Sequence, residues 1–251
     1  IVTLVLSLTP GMAFAADDSA TGTFGCNNAA PTVDSVALYL DSNNNATADM
    51  TPLTEYYVKV GVSDANTLDD LDTVNVWIYY DANGTFDAAD RVDPGDPQLG
   101  VVLCWYNANN SWTIDAGSST TWDIVEINCS APTMTDASGY FEFNFVPGKV
   151  AQESPSSDEW HIYVVADDGT DNDNGYQEDR NMNWYGEITV EPASIDWGNV
   201  NAGLDFAEGG DSEEAGIHVT YLANGNYSEK IAATTPWTSA GDAPNATLDA
   251  D

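Results

Sequence analysis

Apolar side chains recur at every second position along much of this chain. Val58, Val60 and Val62 alternate with Tyr57, Lys59 and Gly61, and Val74, Val76 and Ile78 alternate with Asn75 and Trp77. Phe141, Phe143 and Phe145 are separated by Glu142 and Asn144, and Trp160, Ile162 and Val164 by His161 and Tyr163. A period of two puts one set of side chains on one face of a pleated strand, so each run predicts a strand with one face on a core. Helical periodicity is hard to find. Between the runs lie turn clusters such as Asp81-Ala82-Asn83-Gly84, Pro94-Gly95-Asp96-Pro97 and Asp168-Gly169-Thr170-Asp171. Short strands punctuated in this way predict an all-β fold, an antiparallel β-sandwich.

Composition sharpens that picture. The 251 residues carry 41 Asp plus Glu against 5 Lys plus Arg, a formal net charge of -36. Such a charge raises the alternative of a disordered chain, but 8 Trp, 12 Tyr and 7 Phe within a 43% hydrophobic sequence supply ample core. So negative a surface repels nucleic acid and anionic lipid and attracts divalent cations. With so few cationic partners, most carboxylates must be solvated or bound to cations, as a saline or calcium-containing exterior would allow.

The chain starts with the apolar run Ile1 to Leu8, then Thr9-Pro10-Gly11 and Ala13-Phe14-Ala15. An apolar stretch, a helix breaker and an A-x-A site read as the end of a secretory signal peptide over 1–15, with a first buried strand as the alternative. The run is too short to span a membrane, which takes about 20 apolar residues. A Gly/Asn-rich linker follows over 16–29, then a β-sandwich domain over 30–190 that closes with the strand Trp184 to Val190. A second unit over 191–251 is expected to continue beyond Asp251. Its opening matches Pro192, Ile195, Asp196, Trp197, Gly198, Val200 and Gly203 to a strand-and-turn pattern, and on those residues it resembles bacterial and archaeal extracellular immunoglobulin-like modules. The first domain, with APTVDSVALYL, MTPLTEYYVKVGVSD, LDDLDTVNVWIYYD and WHIYVVADDGTD, is similar to repeats of archaeal cell-surface and surface-layer-associated proteins. The resemblance implies tandem immunoglobulin-like sandwiches at the cell surface, with no catalytic residues to carry over. Their partners would be other surface-protein subunits or cell-surface polysaccharide.

Three cysteines fit an oxidising exterior but leave one over. If VEINC is a strand, Cys129 points inward, and Cys104 lies in the apolar run VVLCWY, so a Cys104 to Cys129 bridge is expected, with two buried free thiols as the alternative. Cys26 follows Gly25 without a lipobox. Asn-x-Ser/Thr sequons stand at Asn45, Asn83, Asn109, Asn226 and Asn245, and at Asn128, which is the least favoured because Cys129 is beside it.

No sequence motif of a nucleophile elbow, metalloprotease, dinucleotide site or phosphate loop is present. A hydrolytic acid pair could be drawn from any two of so many carboxylates, which singles out none. His161 and His218 fall on separate strands and read as structural. The expectation is a protein that is not an enzyme. Calcium is the best chemical hypothesis, since hard cations take several oxygens from a short loop. Asp81, Asn83, Thr85, Asp87 and Asp90 supply oxygens after one strand, although Phe86 stands where an EF-hand needs Gly and Val92 where it needs Glu. A second acidic loop offers Asp167, Asp168, Asp171 and Asp173, with Asp179 beyond. The alternative is that both segments are solvated turns, Asp, Asn and Gly being ordinary turn residues. Trp105, Tyr106, Trp112 and Trp122 raise the alternative of a carbohydrate-binding or adhesive module, provided their rings face solvent.

Overall fold

A computed structural model describes residues 27–91, 96–115, 121–156, 159–191, 218–228, 237–238 and 247–248. The expected signal segment over 1–15, Cys26, and the Pro192 to Gly203 segment lie outside the described residues. The described chain is all-β, its helical content limited to four short 3-10 turns. No helix among these residues is long and apolar enough to cross a membrane.

Each alternating run forms the strand it predicts. The strands β1 (Thr32–Tyr39), β3 (Tyr56–Ser63), β8 (Ser138–Val146) and β7 (Asp123–Ile124) make a four-stranded sheet in the order β1-β3-β8-β7. The second sheet runs β2 (Asp49–Met50), β10 (Asn172–Met182), β9 (Trp160–Asp167), β4 (Thr73–Tyr80), β5 (Gly100–Tyr106), β6 (Ser111–Ile114). Apolar positions meet across the ladders: Val58 faces Phe143, Val60 faces Phe141, and Val76 lies between Val164 and Leu103. A slip by one residue would turn these side chains to the other face, so the burial pattern fixes the register.

The two sheets pack face to face around one aromatic core. Trp105 meets Phe141 with ring centroids 4.7 Å apart, Trp112 meets Phe143 edge-on at 4.7 Å, and Trp122 stacks on Phe145 at 6.1 Å. β5 is buried along both faces, with Val101, Leu103 and Trp105 in the core and Val102 and Cys104 alternating to the other side. An outer aromatic layer covers the second sheet, where Phe86 stacks on Tyr176 at 4.0 Å and the Arg91 guanidinium lies over Trp77 and Tyr163. Phe86, which denied the Asp81 to Asp90 segment an EF-hand, is the side chain that anchors this loop.

Three expectations are corrected. The sheets are not purely antiparallel, because β2 joins β10 in parallel, and the edge of β1 leans on β10 so that one sheet curls toward a half-barrel. That seam is made by side chains: Asp173 accepts from the Val33 N–H at 2.9 Å and Gln177 from the Leu38 N–H at 2.8 Å. Gly175 makes room for it, since a Cβ there would lie 2.6 Å from Val33 Cγ1. The segment read as a second acidic loop is for the most part β10, a strand whose polar side chains serve this seam, so Asp173 and Asp179 are strand residues.

The Cys104–Cys129 bridge is not formed; both thiols are free. VEINC is no strand but a 3-10 turn, Glu126–Asn128, which leaves Cys129 against β8, where its sulfur accepts the Asn144 N–H at 3.2 Å. Cys104 alternates to the outer side of the other sheet, so the two sulfurs belong to different layers. Burial pushes each thiol up to about 11.

After the second sheet the chain forms a separate ribbon. β11 (Gly186–Glu191) pairs with β12 (His218–Ala223). A short pair, β13 (Trp237–Thr238) and β14 (Thr247–Leu248), follows.

Candidate functional site

Of the expected calcium loops, the first is a series of turns. Asp81 accepts from the Asn83 N–H at 3.0 Å, Asn83 from Thr85 at 2.9 Å, and Asp87 from Ala89 at 2.7 Å, capping the 3-10 turn that contains Asp90. One oxygen of each of these three side chains is turned onto its own backbone two residues ahead, as Asp and Asn do in Asx turns, while Asp81 Oδ2 is buried with no hydrogen-bond partner. Neither Asp81 nor Asp87 belongs to a group of three or more acidic, histidine or cysteine side chains that converge among the described residues.

The acidic groups that do converge come from three places. Asp64 follows β3, Asp70 ends the 3-10 turn Leu68–Asp70 that leads into β4, and Asp168 follows β9. One carboxylate oxygen from each lies within 4.8 Å of the others. The backbone positions all three. The Asp64 N–H donates to Ala137 O at 2.9 Å, Leu68 N–H to Asp136 O at 2.9 Å, and Asp72 N–H to Asp167 O at 2.8 Å. In the β9–β10 turn, Gly169 adopts φ +80, and a Cβ there would lie 2.4 Å from an Asp72 oxygen, so only glycine lets that carboxylate approach.

The three carboxylates differ in environment. Asp168, 8% exposed, accepts from the N–H groups of Thr170 and Asp171 at 2.8 and 2.7 Å and from Asn28 Nδ2 at 2.8 Å. Burial pushes its carboxyl up, but these hydrogen bonds together outweigh burial and hold it below the usual range. Asp70 is pushed up, first by burial and then by the charges of Asp64, Asp168, Asp69 and Asp72. Asp64 is 3% exposed; its Oδ1 accepts from the Asn66 N–H at 2.7 Å, while its Oδ2 is buried with no hydrogen-bond partner.

Sequence reasoning found Asp168 here and missed Asp64 and Asp70. The signal was present in SDANTLDDLD, an acidic run immediately after an alternating strand, but only the fold brings it beside the β9–β10 turn. Asp167 caps Gly169 at 2.6 Å, and Asp171 contributes its N–H to Asp168 rather than a carboxylate to the cluster.

A second construction lies where the β11–β12 ribbon leaves the sheets. Asn224, 5% exposed, donates from Nδ2 to Ala151 O at 2.8 Å and Asn183 O at 3.0 Å, and its Oδ1 accepts from the Tyr185 N–H at 2.7 Å. Its backbone accepts from Glu153 at 3.0 Å and donates to Tyr185 at 3.1 Å. An ion pair between Lys149 and Glu187 at 2.9 Å crosses the same joint. Nothing in the sequence separated Asn224-Gly225 from the turn Asn83-Gly84.

The other sequence candidates are placed as follows. Trp105, Trp112 and Trp122 are buried at 0%, 6% and 4% exposure, and only Tyr106 of that group reaches solvent. His161 is buried against Tyr79 and Phe86. Asn45, Asn83, Asn109 and Asn226 are exposed; Asn245 lies outside the described residues. No protein-family model matches this chain, and no curated protein matches it in sequence.

Proposed function

We propose that this chain is a non-enzymatic structural protein of the cell exterior, built from rigid β modules in tandem, immunoglobulin-like in kind, that space or assemble a surface layer. The observation that carries the reading is the joint at Asn224. A buried amide that uses both its donors and its acceptor on three separate backbone groups fixes the direction in which the chain leaves the first pair of sheets. A spacer needs that property, whereas a binding domain on a loose linker does not. The net charge of -36 suits a saline exterior and keeps modules apart from anionic surfaces. The carbohydrate-binding alternative needed a solvent-facing platform of Trp105, Trp112 and Trp122, and their rings are spent on the core.

The test has two arms. Spin labels on Ser138→Cys and Thr220→Cys, both exposed positions, in a Cys26→Ser background, should give one narrow distance distribution that Asn224→Ala broadens. Protease treatment of intact cells of the producing organism should degrade the protein. A distribution already broad with Asn224 intact, or complete protection inside the cell, refutes the proposal.

A further inference from the structure

An ionised carboxylate can only accept hydrogen bonds, so for it to stay ionised a buried oxygen without a donor beside it needs a counter-charge. Asp64 Oδ2 is such an oxygen, on a side chain that is 3% exposed. Its neighbours make the need greater, for Asp70 and Asp168 each bring an oxygen within 4.8 Å of an oxygen of the Asp64 carboxylate. The described cations are all engaged elsewhere. Lys59 pairs with Glu142, Lys149 with Glu187, Arg91 lies over Trp77 and Tyr163, and Arg180 donates to Thr47 O.

We propose that Asp64, Asp70 and Asp168 bind a divalent cation, Ca2+, at one end of the two sheets. Ca2+ takes six to eight oxygens at about 2.4 Å, so ligands on opposite sides of the ion stand about 4.8 Å apart, and loop carboxylates completed by water suit its irregular shell. The hydrogen bonds to Asp168 from Thr170, Asp171 and Asn28 hold that carboxylate ionised and oriented. Asp64 follows a strand of the four-stranded sheet, Asp168 follows a strand of the six-stranded sheet, and Asp70 lies on the connection between the sheets. An ion held by all three ties the two layers together at their end, and it relieves the repulsion that raises the Asp70 carboxyl. The site is separate from Asn224, so its failure leaves the proposed function standing.

The experiment uses the purified chain stripped with chelator, titrated with CaCl2 by calorimetry and melted in Ca2+, Mg2+, chelator, and NaCl of matched ionic strength. One Ca2+ per chain should bind through this site, and at a hundredfold excess over Kd melting should rise by about 5–10 °C beyond the NaCl control. Asp70→Asn should weaken Ca2+ binding at least tenfold, yet melt no lower than the parent in chelator, because it removes repulsion and no hydrogen bond. That opposite pair of effects separates a ligand from a structural residue, and it stands even if Asp64→Asn fails to fold. Asp87→Asn, in the other acidic loop, should bind as the parent does. Equal shifts from NaCl and CaCl2, unchanged binding in Asp70→Asn, or loss of binding in Asp87→Asn would each overturn the site.

Discussion

Trp105 is the residue at which a structural core and a sugar platform make opposite demands. Its ring is fully buried, 4.7 Å from Phe141 and 6.4 Å from Trp112, and its Nε1–H donates to Asn110 Oδ1 at 2.9 Å. Truncating a fully buried Trp to Ala costs about 3–5 kcal/mol through lost burial and the cavity left behind. For a domain of this size, each kcal/mol moves the melting temperature by about 2–4 °C. Trp105→Ala should therefore melt roughly 6–20 °C lower. Trp105→Phe keeps most of the ring contact and loses the hydrogen bond, whose net worth is about 1 kcal/mol. The Asn110 oxygen is on an exposed residue that water can reach, so the Phe variant should lose about 1–2 kcal/mol. Urea unfolding followed by circular dichroism, at fixed salt, measures both. If Trp105→Ala loses less than about 1 kcal/mol, the ring is not between the sheets and the face assignment of β5 is wrong.

Asn224→Asp should destabilise more than Asn224→Ala at neutral pH, because a carboxylate would place an acceptor where Nδ2 now donates to the carbonyls of Ala151 and Asn183; chemical denaturation of the two variants decides this. Cys104 and Cys129, protonated at neutral pH with thiols near 11, should react with a thiol reagent only after unfolding, and without added reductant, which mass mapping of alkylated protein can check. Glu187 is held below its ordinary 4.5 by the Lys149 ammonium and then by the Tyr185 hydroxyl. Its contribution is thus present above that value and lost as pH falls through the lower, folded one. Melting of the parent between pH 6 and 3 should show an acid-side loss that is slightly smaller in Lys149→Ala, the remainder coming from carboxylates such as Asp168 that are also held low.

The strands that could be read from the sequence are those whose burial is one-sided or complete. Val58, Val60, Val62, Phe141, Phe143 and Phe145 announce a face because polar or small residues such as Lys59, Gly61, Glu142 and Asn144 take intervening positions, and all six are in the core. β10 could not be read that way. Its sequence, NDNGYQEDRNM, has no apolar alternation, because its side chains hydrogen-bond the edge of β1 instead of filling the core. The acidic cluster was legible only at Asp168 for a related reason: sequence adjacency marks Asp167 to Asp173, while Asp70 reaches the same place through the pairing of β4 with β9 and Asp64 through the end of β3 in the other sheet. Cys129 was misread because an alternating pentapeptide is short enough for a 3-10 turn to take.

The central claim is that the two sheets continue into the β11–β12 ribbon through a rigid joint, and amide hydrogen exchange tests it most directly. The N–H groups of Tyr185, Glu153 and Asn224 are bonded within that joint. If the joint opens only when the fold does, they should exchange as slowly as the core amides of Val76 and Phe143. Exchange of these three within seconds, while Val76 and Phe143 stay protected, would show a ribbon that swings freely and would contradict the account.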